Sequence, residues 1–135
     1  SYESAVAWLC DTKRPNPTSA HWVVSKAGRV ARLVKEEDTA WHAGDSEWRG
    51  QRQVNSRSIG IELENKNDGK DPWPDAQLAV CLELCLEACL RHGILVDDVV
   101  GHADVAPGRK TDPAGFPWER YRASLKRAVE GGGPA

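Results

Sequence analysis

The sequence predicts a single α/β domain with a central mixed β-sheet flanked by helices. Three observations lead there. Segments rich in β-formers, at residues 20–25, 29–34 and 58–64, are interleaved with helical ones. Residues 76–92 carry apolar side chains at helical spacing along their whole length. The 135 residues, 40% hydrophobic and 28% charged, have the composition of one ordinary globular domain with a real core. A net charge of −2 offers no footprint for nucleic acid or for an anionic membrane surface. No apolar run reaches transmembrane length, and no basic-then-apolar signal peptide opens the chain. Methionine is absent, so either an initiator was removed before Ser1 or the chain is a fragment of something longer.

Taken in order, residues 2–10 read as a short helix, with Ser1 as a cap and Ala5, Trp8 and Leu9 on one face. Pro15 and Pro17 end it in a loop. Between the β-prone residues 20–25 and 29–34, Lys26-Ala27-Gly28 suits a hairpin turn. Residues 40–50, AWHAGDSEWRG, are too glycine-rich for a regular element yet carry two tryptophans and a histidine. Such rings either plug the core beneath the loop or face a ligand. In the strand at 58–64, Ile59, Ile61 and Leu63 share one face, and Gly60, Glu62 and Glu64 share the other. Asp75 is a good N-cap for the long helix and Gly93 a good terminator. Its buried stripe is Leu78, Leu82, Cys85 and Cys89, while Glu87 and Arg91 are spaced for an i,i+4 ion pair. Residues 94–100 are apolar and β-branched enough for a further strand, and residues 118–129 for a last helix. Residues 131–135, GGGPA, read as a flexible tail.

The four cysteines are not a disulfide framework. Cys81, Cys85 and Cys89 recur every four residues on one helix face, where they point in parallel and are poorly placed to bridge one another. Cys10 has the freedom to pair with one of them, but buried free thiols are the expectation.

The chemistry concentrates in residues 101–113, GHADVAPGRKTDP. His102 follows directly on the apolar segment, Pro107-Gly108 forces a turn, and the proline after Asp112 biases that residue towards an extended backbone. A loop folded back this way brings His102 and Asp112 together across ten positions. Neutral imidazole and carboxylate are ordinary zinc ligands, and a catalytic zinc takes three protein ligands with a fourth position open. From residue types alone two readings stand: a half-assembled metal site, or a satisfied core histidine beside a turn-capping aspartate.

Resemblance separates them. Residues 101–118, GHADVAPGRKTDPAGFPW, resemble the C-terminal signature of the zinc-dependent N-acetylmuramoyl-L-alanine amidases of type 2. That family is shared by phage endolysins and bacterial wall-recycling enzymes and is related in fold to peptidoglycan recognition proteins. AWHAGDSEWRG, the strand region NSRSIGIELEN at residues 55–65, and Trp73-Pro74-Asp75-Ala76-Gln77 resemble further stretches of the same family, so the likeness runs from Ser1 to about residue 125. It implies an amidase domain over residues 1–130 that cuts the amide between the lactyl group of N-acetylmuramic acid and L-alanine in peptidoglycan or a muropeptide. It also implies Zn2+ held by His102 and Asp112, making hydroxide available near neutral pH. Glu62 would move the proton, Lys110 would stabilise the oxyanion, and Trp41, His42, Ala43 and Arg109 would line the substrate groove. Glu64, on the same face as Glu62, ranks well below it. Action on the cell wall is expected of a lysin, and a cytoplasmic place of a recycling enzyme.

The resemblance departs in one place. The family's first zinc ligand is a histidine on a strand that would lie upstream of Ser1. His21 matches the family's SAHyvV strand and His42 its AWHAG loop, and neither is a ligand there. As given, the chain is therefore expected to hold zinc poorly and to show little activity. The runner-up is a non-catalytic peptidoglycan-binding module of the same fold. An interaction domain built on the two-tryptophan loop accounts for those rings but not for GHADVAPGRKTDP.

Overall fold

The computed structural model describes residues 1–10 and 18–131. The proline loop and most of the tail fall outside the described residues. Helix α1 (Tyr2–Cys10) leads, followed by strands β1 (Trp22–Val24) and β2 (Val30–Arg32), β3 (Ile61–Leu63), helix α2 (Asp75–His92), a one-turn helix α3 (His102–Val105) and helix α4 (Trp118–Glu130). Short 3-10 turns occupy Val54–Arg57 and Val96–Asp98. Among the described residues the sheet is three-stranded and mixed, in the order β2-β1-β3. β1 runs antiparallel to β2 and parallel to β3, with Val23 opposite both Ala31 and Glu62.

The β1–β2 turn falls where Lys26-Ala27-Gly28 put it. Gly28 adopts φ 87° and donates its N–H to the Ser25 carbonyl at 3.0 Å. Ile61 and Leu63 pack on the core, which α2 and α4 supply through Leu78, Cys81, Cys85, Leu86, Cys89, Tyr121 and Leu125. Leu125 is fully buried, and burial of such a side chain contributes about 1.5–3 kcal/mol. Phe116 stands at the centre of an aromatic group, edge-on to Trp73, Trp118 and Tyr121 at 4.6–5.3 Å between ring centres. Gln77, wholly buried, ties the sheet to α2 by donating to the carbonyls of Val24 and Glu64 at 3.2 and 3.0 Å.

Several sequence expectations are corrected. Residues 94–100 are not a strand, since the cleft separates them from the edge of β3. Asp98 N–H bonds the Leu95 carbonyl and Val99 N–H the Val96 carbonyl, closing a tight turn. His102 consequently opens a short helix instead of ending a strand. The strand at 58–64 is shorter than expected because residues before Ile61 are otherwise engaged: Ser58 Oγ donates to the Val54 carbonyl, and Gly60 N–H to His21 Nδ1. Asp75 is the first residue of α2, not its cap, because Pro74 already takes that position. Gly93 does terminate the helix in the left-handed conformation. In α1 the buried side is Tyr2 with the half-buried Ala5, Val6 and Leu9, while Trp8 is 58% exposed. Arg91 hydrogen-bonds Glu36 rather than Glu87. The Glu36 carboxylate, itself buried, accepts from Arg91 at 2.8 Å, His92 at 2.9 Å and Trp22 Nε1 at 3.0 Å.

All four cysteines are free, with Cys81, Cys85 and Cys89 buried and Cys10 exposed. No helix among the described residues is long and apolar enough to cross a membrane.

Candidate active site

Strand alternation decides where Glu62 goes. With Ile61 and Leu63 on the core side, the residue between them faces the opposite way, towards the 101–113 loop. Its carboxylate opens to solvent on one side, but the protein around it strips away water, and the negative charge of Asp112 adds to the effect. Together they raise its pKa against the opposing pull of His102 and Lys110. Glu64 makes a different connection, accepting the Lys26 N–H at 2.9 Å at the hairpin turn.

The loop is folded back by short-range bonds. Asp104 caps its own helix by accepting the Gly101 N–H at 2.7 Å, the Ala106 carbonyl takes the N–H groups of Arg109 and Lys110, and Gly108 turns the chain at φ 80°. Ala103 N–H then donates to the Asp112 carbonyl at 2.9 Å. The result is that His102 Nδ1 and Asp112 Oδ2 stand 3.3 Å apart. The partnership raises the pKa of His102, chiefly through its hydrogen bond to Asp112 and against the cost of burial, and lowers that of Asp112 through the same bond. Lys110 is exposed at the rim, where its charge acts on Glu62, His102 and Asp112 alike.

The other ring nitrogen settles what this pair can hold. His102 Nε2 lies 2.9 Å from the carbonyl of Ala43, an acceptor only, so Nε2 carries a proton. A proton on each nitrogen satisfies both acceptors, and a cation in place of the Nδ1 proton would leave Nε2–H on the Ala43 carbonyl. Nδ1 and the Asp112 carboxylate, 3.3 Å apart, call for a cation between them, either a proton or a metal ion shared by both. The donor chemistry fits zinc as two of three protein ligands. Among the described residues no group of three His, Cys, Asp or Glu side chains converges to complete a site.

The residues expected along the groove separate. His42 lines the cleft, half-buried, its Nε2–H donating to Ser58 Oγ at 3.2 Å. Burial, followed by the charges of His21 and His102, holds its pKa down at about 4, so the ring is neutral at ordinary pH. Ala43 is buried and contributes its backbone. The Arg109 guanidinium is turned onto the same loop, donating to the carbonyls of Ala43 at 2.6 Å and Asp45 at 3.1 Å. Trp41, 59% exposed, lies outside the cleft lining, with its backbone pinned by reciprocal bonds to Ser19. His21 is wholly buried and structural: its Nε2–H donates to the Asp38 carbonyl at 2.7 Å while Nδ1 accepts from Gly60.

The cleft measures about 740 Å³. Glu62, His102 and Asp112 line it together with Trp48 and Asp98, and it runs on between β3 and residues 94–100 over the thiols of α2. Sequence reasoning assigned no role to Trp48, which donates Nε1–H to Asp98 at 3.0 Å, or to Asn55, whose side chain grips the 42–43 backbone. A polar side chain that bonds distant backbone leaves no periodic mark; the only sequence signal was the presence of Asn55 at the head of the matched strand region.

A mixed-sheet α/β domain thus gathers two potential metal ligands and a carboxylate of raised pKa in one cleft. The profile of the N-acetylmuramoyl-L-alanine amidase family matches residues 1–115, and the chain belongs to that family. It is 42% identical over 110 residues to the 1,6-anhydro-N-acetylmuramyl-L-alanine amidase AmpD of Haemophilus influenzae, covering 80% of this chain and 59% of the relative. It is 37% identical over 134 residues to the N-acetylmuramoyl-L-alanine amidase AmiD of Escherichia coli, covering 88% and 47% respectively. The fold superposes on the Escherichia coli AmiD structure solved in complex with anhydro-N-acetylmuramic acid-L-Ala-D-gamma-Glu-L-Lys. The TM-score is 0.84 at 33% sequence identity, covering all of this chain and 60% of that one. The chain thus spans roughly half of the length of these curated relatives.

Proposed function

We propose that the cleft hydrolyses the amide joining the lactyl group of N-acetylmuramic acid to L-alanine in a muropeptide, the anhydro-muropeptide being the preferred form to test. The observation that carries this is the convergence of Glu62, His102 and Asp112 on one cleft, within reach of the charge of the exposed Lys110, in a member of the amidase family. His102 through Nδ1 and Asp112 through its carboxylate would hold a zinc ion, with a third protein ligand required from beyond the described residues. Bound there, zinc would supply a Lewis acid for the scissile carbonyl.

The chain's own groups account for the proton traffic. Glu62, with its raised pKa, takes a proton from the attacking water as the oxygen adds to the carbonyl carbon. The Lys110 ammonium donates to the oxyanion of the tetrahedral intermediate; loss of such a donor typically costs about two to three powers of ten in rate. As the C–N bond breaks, Glu62 returns its proton to the departing amine, leaving a lactyl carboxylate and a free L-alanine N-terminus.

A second reading is favoured by one observation, the count of two ligands rather than three among the described residues: a module that binds muropeptide without cutting it. Mass spectrometry of an anhydro-muropeptide incubated with the chain in excess zinc separates the two. The amidase reading expects a slow release of the stem peptide that rises with zinc, with Glu62→Ala abolishing release but keeping muropeptide binding. Binding with no release at any zinc concentration overturns it in favour of the second reading.

A further inference from the structure

We propose that Asn67 is a positioning residue that holds the Asp112 carboxylate in the cleft by gripping the chain on both sides of it; this rests on the reading of Asp112 as one of the groups that hold a cation there.

The loop that follows β3 is first tied to itself. Asn65 Oδ1 accepts the Asn67 N–H, Asp68 Oδ1 those of Lys70 and Asp71, and Asp71 Oδ2 that of Lys66, each at 2.8 Å. The Lys26 ammonium, at the β1–β2 turn, pairs with Asp71 and fastens the loop to the hairpin. From this braced loop Asn67 reaches across 44 and 47 positions of sequence: its Nδ2–H donates to Thr111 Oγ1 at 3.0 Å, and its Oδ1 accepts the Ala114 N–H at 2.7 Å. The Ala114 N–H can only donate, which fixes the two ends of the side-chain amide. Both ends are used, and Asp112 lies between the two residues they hold. Trp73 Nε1–H adds a bond to the Ala114 carbonyl at 3.2 Å, and a Cβ on Gly115 would come within 3.2 Å of the Gly69 carbonyl.

The other side of the same segment is held by α3. Ala103 N–H reaches the Asp112 carbonyl at 2.9 Å, and a Cβ on Gly101 would come within 2.7 Å of Pro113 Cδ. Those contacts fix the main chain of residue 112 relative to His102. The bonds of Asn67 and Trp73 instead fix it relative to β3, the strand that carries Glu62. A carboxylate that ligates a metal must place its oxygen within about 0.2 Å of the right distance. A grip on both sides of the carboxylate supplies that precision without touching the carboxylate. Outer partners that orient a ligand are typically worth ~10–100-fold in metal affinity.

The test needs no turnover: calorimetric titration of the full chain with zinc, beside amide exchange followed by NMR. The wild-type chain should bind zinc and protect the Ala114 N–H from exchange. Asn67 has φ 56°, so Asn67→Gly removes the amide without forcing a Cβ into the left-handed region. That variant, with a well-dispersed amide spectrum, should lose the protection and weaken zinc binding by ~10-fold or more. Thr111 is exposed, so its variants read the grip without risk to the core. Thr111→Val should weaken binding by about two- to tenfold, the worth of one hydrogen bond, and Thr111→Ser, which keeps the hydroxyl, should not. In the Asn67→Gly background Thr111→Val should cost nothing further, because its partner is gone. Losses that add, equal affinities in Thr111→Val and Thr111→Ser, or a folded Asn67→Gly that binds zinc as the wild type does each overturn the proposal. A wild-type chain that takes up no zinc defeats the cation reading itself, and this assignment with it.

Discussion

At the residue scale, the neutral ring of His42 carries a measurable consequence. It lies so close to Gly60 that a Cβ there would come within 2.5 Å of its Cγ, and it sits beside the buried His21 at 6.0 Å between ring centres. Its folded pKa of about 4 is below the ordinary value of 6.5. Between those values the unfolded chain binds a proton that the folded chain refuses, so stability falls as pH drops from about 6.5 towards 4. The full span corresponds to roughly 3 kcal/mol at most. Urea unfolding at a series of pH values should show this acid-side slope, and His42→Gln should flatten it; an unchanged slope would mean that the ring is not desolvated as described. That His102 and Asp112 meet was legible because Pro107-Gly108 and the proline after Asp112 announce a turn, whereas their role as a site came from the resemblance alone. Asn55 and Ser58 were not, because their bonds to His42 and its neighbour cross 12 to 16 positions of irregular backbone.

At the element scale, legibility followed periodicity. Helix α2 repeats its apolar pattern over 18 residues and ends at a glycine, so its extent and buried face were readable, cysteines included. Residues 94–100 have the composition of a strand, but a strand exists only with a neighbour to bond, and composition carries no information about neighbours. Asp98 instead anchors Trp48 and Arg49. The burial of α2 gives a prediction. Under native conditions a bulky thiol reagent should modify Cys10 quickly and Cys81, Cys85 and Cys89 more slowly, since those three are nearly buried and are approached only through the cleft. Rapid modification of all four would show that α2 does not bury this face.

At the scale of the whole molecule, the sheet brings together groups far apart in sequence. β3 aims Glu62, the 42–44 loop supplies the carbonyl for His102, and the 101–113 loop returns Asp112 to the same cleft. The mixed α/β class was legible from alternating strand and helix signals. The central claim is that His102 and Asp112 together hold one cation in this cleft. Calorimetric titration of the chain with zinc tests it most directly. The account predicts one weak site per chain, lost in both His102→Ala and Asp112→Ala and retained in Glu62→Ala and Lys110→Ala. Absence of zinc binding, or binding that survives both ligand substitutions, would contradict it.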